Sequence, residues 1–187
     1  MQCSYPADGS PAKPVDPPSE WAPAAGEVTV TLRLTAGDVP ITMDRAKAPC
    51  TVNSVVSLAE QGYFDDTQCH RLTDYGIFVL QCGDPSATGT GGPGYTFADE
   101  VDPSLTYGAG TVAMANRGRD TNGSQFFLVY ADTQLSPDYT VFGTMDQAGI
   151  DVVGASPRRA STPWTARRRS LRRRSPRPSS ADLSRSR

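Results

Sequence analysis

Between residues 28 and 34 the chain alternates: Val28, Val30, Leu32 and Leu34 are apolar, and Thr29, Thr31 and Arg33 are polar. A period of two predicts a strand with one buried face. Gly37-Asp38 marks a turn into a second strand over 39–43, which together make a hairpin. The period then lengthens. After Pro49-Cys50, Thr51 stands as the N-cap of a helix whose Val52, Val55, Val56 and Ala59 share a face, and Gly62 is placed to end it. Further strands are predicted over 69–72, 77–82, 111–115, 125–130 and 140–145, separated by Gly, Pro, Asn and Asp. Many short strands with a single well-marked helix predict a sandwich or a barrel. No internal repeat is present.

The flanks lack this patterning. Residues 1–26 hold six Pro among Ala, Ser and Asp with no apolar period, and are expected to form a flexible, Pro-rich, partly polyproline-like arm. Residues 155–187 contain 11 Arg, 8 Ser, 4 Pro and 4 Ala, with no Val, Ile or Gly, and are expected to be disordered. The folded domain is thus expected over 27–154.

Charge sharpens the same boundaries. The 187 residues carry a formal net charge of −2. Seven basic and 19 acidic side chains over 1–157 make that part −12, whereas 11 Arg and Asp182 make 158–187 a +10 tail. No apolar run reaches the roughly 18–20 residues that span a bilayer. The start, Met1-Gln2-Cys3-Ser4-Tyr5-Pro6, has neither a basic nor an apolar leader region, so as written the chain is expected to be cytoplasmic. Four Cys are too few for a disulfide-dense scaffold.

Most familiar chemistries find little support. Gly89-Thr90-Gly91-Gly92-Pro93-Gly94 lacks the Gly-Lys-Ser/Thr ending of a phosphate loop and opens no helix. His70 is the only histidine and has no Ser or Cys nucleophile signature around it. Cys3, Cys50, Cys69 and Cys82 have no CxxC spacing, so no metal site is expected. Cys69 and Cys82 flank an expected strand pair and could bridge in an oxidising compartment; two small buried thiols are the preferred reading. What stands out is polarity set into apolar strands: Arg71 and Gln81 near Phe78, and Asn116, Asn122 and Gln125 near Phe127. One such arginine is usually a structural ion pair. A recurring set of Arg, Gln and Asn beside aromatic rings fits a groove that hydrogen-bonds an extended backbone and seats an apolar ring.

His70-Arg71-Leu72, Phe78-Val79-Leu80-Gln81-Cys82-Gly83-Asp84, the glycine-rich loop, Met114-Ala115-Asn116 and Thr121-Asn122-Gly123-Ser124-Gln125-Phe126-Phe127, followed by Val141-Phe142-Gly143, resemble the cyclophilin family of peptidyl-prolyl cis-trans isomerases, most of all its actinobacterial members. The resemblance covers about residues 28–153 in order. It implies a mainly β fold, an antiparallel eight-stranded barrel with capping helices. Here the family's last helix and final strand are expected to be disrupted, because its pattern stops at Gly154.

The resemblance also implies roles. Arg71 matches the catalytic arginine. Phe78, Val79, Phe127 and Leu135 match the proline pocket. Gln81, Ala115, Asn116 and Gln125 match the wall that holds the substrate backbone, and His70 and Tyr139 border the groove. Val79 stands where many members have Met, Gln134-Leu135-Ser136 lacks a Trp found in animal members, and Tyr139 replaces a frequent His. Arg117, Arg119 and Asp120 change the loop before Asn122. The implied function is isomerisation of X-Pro bonds in proline-containing peptides and unfolded proteins, by a monomer with no cofactor. A non-catalytic proline-peptide binding module on the same barrel is the alternative.

Three readings of residues 155–187 compete: a basic tail for nucleic acid or acidic surfaces, a solvated extension, or out-of-frame translation of a GC-rich gene. The third is favoured, which makes a nucleic-acid partner unexpected. Similar actinobacterial proteins often carry an N-terminal anchor ahead of such a linker, so a membrane-anchored or extracytoplasmic location is the alternative to a cytoplasmic one.

Overall fold

The computed structural model describes residues 1–156 and the backbone of 166–168. The alternation of the first hairpin is realised as β1 (Glu27–Leu34) and β2 (Gly37–Asp44), antiparallel with Val28 opposite Met43 and Leu32 opposite Val39. Their alternate apolar side chains are all buried. α1 (Pro49–Glu60), β3 (Arg71–Leu72), β4 (Val79–Cys82), β5 (Thr111–Met114), β6 (Phe126–Val129), β7 (Val141–Met145), α2 (Gln147–Gly154) and β8 (Ala166–Arg168) follow. The strands form one curled antiparallel sheet in the order β3-β4-β6-β5-β7-β2-β1-β8.

Apart from Gln81 and Thr111, β4, β5 and β6 are apolar on both faces, and period two divides their side chains between two clusters. Leu80, Cys82, Val112, Met114, Phe126 and Leu128 enter the main core, with β1, β2 and α1. Val79, Ala113, Phe127 and Val129 point the other way and form a second, smaller cluster with Tyr107. That second face positions the candidate site.

The helix begins two residues before the expected cap. Pro49 occupies its first turn, where a missing N–H costs nothing, and Ala48 stands at the cap without a side-chain bond. The Glu100 carboxylate supplies the acceptor instead, taking Cys50 N at 2.9 Å and Thr51 N at 2.8 Å, while Thr51 Oγ1 donates to it at 2.7 Å. At the far end Gly62 ends the helix as expected, with φ +66°, and Tyr63 N donates to Leu58 O.

Three expectations are corrected. First, the amino-terminal segment is not a free arm. Its backbone pairs with the loop at Tyr95, its Tyr5 ring packs edge-on against Tyr95 and Phe97, and Cys3 and Ala22 are buried. Proline-rich composition forbids a self-contained core, but it does not prevent docking onto one. Second, the cysteines are bridged, Cys3 to Cys50 and Cys69 to Cys82. Third, Ala166–Arg168 forms a strand against β1, Val30 opposite Arg168, where no alternation predicts one. An open sheet edge offers backbone groups, and backbone pairing needs no side-chain pattern. The preceding helix is present as two turns capped by Asp146, whose Oδ1 accepts from Gly149 N at 2.9 Å. β8 has three residues, and it and β3 are the two ends of the sheet. The rest of the expected disordered tail lies outside the described residues.

Candidate active site

β3 has only two residues, and Arg71 is one of them, directly opposite Gln81 of β4. The Arg71 guanidinium is exposed, and its Nη1 donates to Gln81 Oε1 at 3.3 Å. Gln81 Nε2 donates to Gln125 Oε1 at 2.9 Å, and Gln125 Nε2 donates to the carbonyls of Gly89 and Gly91 at 3.0 and 2.9 Å. The result is a line of polar groups from Arg71 across the sheet to the glycine-rich loop. Each amide is oriented by the next, which leaves the guanidinium's other donors facing solvent.

Asp84 anchors that loop. Its buried carboxylate accepts from Ser86 N and Oγ through Oδ1, and from Gly89 N at 2.7 Å and Gly91 N at 3.0 Å through Oδ2. Burial by itself would raise its pKa; the hydrogen bonds from Ser86, Gly91 and Gly89 outweigh that and hold it below the ordinary carboxylate value. Gly91 is required by the close approach, since a Cβ there would lie 2.0 Å from Asp84 Oδ1.

Beside the polar line lies the second apolar cluster. Phe127 forms its floor, only 5% exposed, edge-on to Tyr139 at 5.6 Å and tilted against Tyr107 at 6.2 Å. Val79 and Ala113 are buried in it, and Ala115, Leu135 and Tyr139 pack at its rim. Tyr107 Oη donates to Tyr139 O, and Tyr139 N donates to Tyr107 Oη, so the two tyrosines lock each other. Burial raises the Tyr107 hydroxyl's pKa, keeping it a neutral donor. On the other side Ala115 N donates to Gln125 O, and Asn116 is held by Asp138 O and Gly118 N.

Of the expected site residues, Arg71, Val79, Gln81, Ala115, Asn116, Gln125, Phe127, Leu135 and Tyr139 share this surface. The other two are chain neighbours of these, Phe78 beside Val79 and His70 beside Arg71. Phe78 immediately precedes β4, and its half-buried ring meets Tyr130 edge-on at 6.0 Å. His70 is half-buried beneath the loop, where a Cβ on Gly89 would lie 3.7 Å from its ring, and its Nδ1 is buried without a hydrogen-bond partner. Desolvation lowers its pKa, Asp84 partly opposes this, and Arg71 adds to it, so the ring is neutral at pH 7. Two parts of the site, Tyr107 and the docking of the arm, carry no pattern of their own in the sequence, and the Cys69–Cys82 bridge is there only the less favoured reading. Asp84 is legible in the sequence only as the end of the Phe78–Asp84 segment, with no role of its own. Among the described residues no three His, Cys, Asp or Glu gather to hold a metal.

Residues 28–162 match the family described as "Cyclophilin type peptidyl-prolyl cis-trans isomerase/CLD". The chain is 48% identical over 166 residues to the probable peptidyl-prolyl cis-trans isomerase B of Mycobacterium leprae, covering 80% of this chain and 56% of that protein. It is 46% identical over 164 residues to the protein of the same name from Mycobacterium tuberculosis, covering 79% and 53%. It is 42% identical over 142 residues to the human peptidyl-prolyl cis-trans isomerase-like 1, covering 73% and 81%. The chain therefore spans about half the length of the mycobacterial relatives. A crystal structure of a Cryptosporidium parvum cyclophilin type peptidyl-prolyl cis-trans isomerase superposes with a TM-score of 0.64 at 30% identity, covering 74% of this chain and 91% of that one. The same protein in the presence of the dipeptide ala-pro superposes at 0.63, also at 30% identity, covering 72% and 90%.

Proposed function

The chain belongs to the cyclophilin-type peptidyl-prolyl cis-trans isomerases, and on that premise we propose that it accelerates rotation about X-Pro bonds, with Arg71 as its catalytic residue. The observation that carries this reading is the exposed Arg71 guanidinium, held by Gln81 two positions along β4 from the apolar cluster around Val79 and Phe127.

Rotation about a peptide bond meets a barrier of roughly 18–20 kcal/mol because the nitrogen lone pair is delocalised into the carbonyl. X-Pro bonds still exchange unaided only in tens to hundreds of seconds. Lowering the barrier needs no nucleophile and no proton relay. It needs a donor aimed at the prolyl nitrogen as it becomes pyramidal, and anchors that hold one side of the bond while the other turns. A guanidinium offers several donors in a fixed fork. A donor placed against transition-state charge is worth about 3–4 kcal/mol, a few hundredfold in rate.

In this reading the proline ring sits against Phe127, Val79, Leu135 and Tyr139. Gln81, Gln125, Ala115 and Asn116 flank the backbone, and the neutral His70 supports the loop. The apolar cluster favours the twisted amide, which is less polar than the planar one. Phe78 is a further wall of the same pocket in this reading, its ring braced edge-on by Tyr130. The Cryptosporidium relative studied with ala-pro supports a dipeptide of this kind as the minimal ligand. Substrates are X-Pro segments of flexible or unfolded proteins. All the residues named come from one chain, so a monomer suffices.

The two disulfides favour an oxidising compartment, so we place the protein outside the cytoplasm. Among the described residues no helix is long and apolar enough to cross a membrane.

A protease-coupled proline isomerisation assay, run beside a peptide titration, tests the reading. Acceleration lost in Arg71→Ala is the expected result. Binding without acceleration would instead support a non-catalytic proline-peptide module.

A further inference from the structure

The polar line does not end at the glycine-rich loop. Gln81, Ala115, Asn116 and Gln125 also border a cavity of about 270 Å³ beyond the groove, and its outer wall is made by Asp8, Gly9 and Ser10 of the amino-terminal arm.

That wall is firmly mounted. Thr96 N donates to Pro6 O, Asp8 N to Gly94 O and Ala12 N to Gly92 O, so residues 6–12 run antiparallel along the loop. Upstream, Cys3 is bonded to Cys50 in the first turn of α1, and Tyr5 Oη donates to Cys50 O at 2.8 Å. Burial pushes the Tyr5 hydroxyl up to about 12, so this bond persists at any ordinary pH. Downstream, Lys13 Nζ donates to Gly62 O and Asp65 O at 2.6 and 3.0 Å. Between these anchors Asp8, Gly9 and Ser10 face the cavity, and Pro11 packs against Gly94.

At the rim, Arg117 Nη2 meets Asp8 Oδ2 at 2.7 Å, with both side chains partly exposed. Arg117 lies in the loop after Asn116, a cation at the far end of the groove, and the arm brings the carboxylate that neutralises it.

We propose that the arm is part of the substrate site: residues 8–10 complete a pocket for a side chain flanking the X-Pro pair, and Asp8 cancels Arg117 so that this pocket takes small, uncharged polar side chains. The inference rests on the isomerase reading only in taking the ligand to be an extended proline peptide. An exposed ion pair contributes little to stability. Its consequence here is the charge that a ligand meets.

The test uses the full chain and the peptides Xaa-Ala-Pro-Phe and Ala-Ala-Pro-Xaa, with Xaa as Gly, Glu or Lys. The readout is the ratio of kcat/KM for Glu over Lys, in which any general loss of rate cancels. Wild type should give a ratio near one on both flanks. Asp8→Asn, which keeps the backbone bond to Gly94, should raise it about threefold on one flank, and Arg117→Gln should lower it by a similar factor. Asp38→Asn, at the start of β2, removes one negative charge outside the pocket and should leave the ratio where it was. Equal ratios in wild type, Asp8→Asn and Arg117→Gln would overturn the proposal, as would an equal shift in Asp38→Asn. Peptide titration yields the same ratio from Kd. A chain that bound peptides without turning them over would defeat the isomerase reading and still decide this one.

Discussion

Cys69 and Cys82 are bonded to each other immediately beside the Arg71–Gln81 pair, so the two-residue strand that carries the guanidinium is fastened to β4 covalently as well as by its ladder. β3 is an end of the sheet, with a partner on one side only. Two ladder positions are a weak hold for a group that must be aimed.

Replacing both cysteines, Cys69→Ala with Cys82→Ala, should therefore reduce kcat about tenfold, with less change in KM. A bridge across 13 residues should also be worth about 3 kcal/mol of stability. Thermal unfolding and isomerase assays, with and without reductant, measure both. A full kcat in a destabilised variant would mean that the ladder alone aims Arg71.

Arg71→Ala should lower kcat/KM a few hundredfold while the unfolding temperature stays within a few degrees, since the side chain is exposed and its bond to Gln81 is long, at 3.3 Å. Arg71→Lys should recover little, because an ammonium cannot hold Gln81 and present a second fixed donor together. Turnover equal to wild type in the alanine variant would remove Arg71 from the mechanism.

Phe127→Ala should raise KM for an Ala-Pro peptide and cost about 3–5 kcal/mol, because the ring is nearly buried between Tyr107 and Tyr139. Phe127→Leu separates the two effects: stability should mostly return while KM stays raised. If KM returned with the stability, the ring would be packing and not pocket.

Asp84→Asn should destabilise by about 1–3 kcal/mol, since an amide cannot accept from Gly89, Gly91 and Ser86 as the carboxylate does. KM should rise too, because the carbonyls that orient Gln125 belong to the same loop. Amide exchange over residues 86–92 would reveal the loosened loop. Unchanged exchange there would separate Asp84 from it.

His70 sets a pH dependence. Its folded pKa lies below the ordinary value of 6.5, so on acidification the unfolded chain takes up the proton first. Stability from this residue is complete above about pH 6.5 and declines as pH falls from there toward the folded pKa. Chemical denaturation at pH 7 and pH 5 should show that decline in wild type and a smaller one in His70→Phe. Equal slopes in both would mean that His70 does not titrate abnormally.

The hairpin of 28–34 with 39–43, the Gly62 helix stop and the strands at β4 and β6 were legible in the sequence because each rests on local chemistry: a period, a turn residue, a left-handed glycine, an apolar run between breakers. So were Arg71, Gln81, Asn116 and Gln125, since polar residues in buried strands are conspicuous without any structure. The helix start was misplaced because its acceptor is Glu100, about 50 residues away. The arm escaped notice for a related reason. Composition reports whether a segment can bury itself, not whether another part of the chain offers it edges, a partner cysteine and an arginine.

The order of polar and apolar residues thus determined every strand but β8, the principal helix and the polar-aromatic character of the groove. The tertiary structure alone decided which face each strand turns to the groove, that the cysteines pair, and that Asp8 reaches Arg117, 109 positions on. Such contacts depend on where the closed-up chain brings distant segments, and that is set by the packing of the whole sheet and not by any neighbourhood of the sequence.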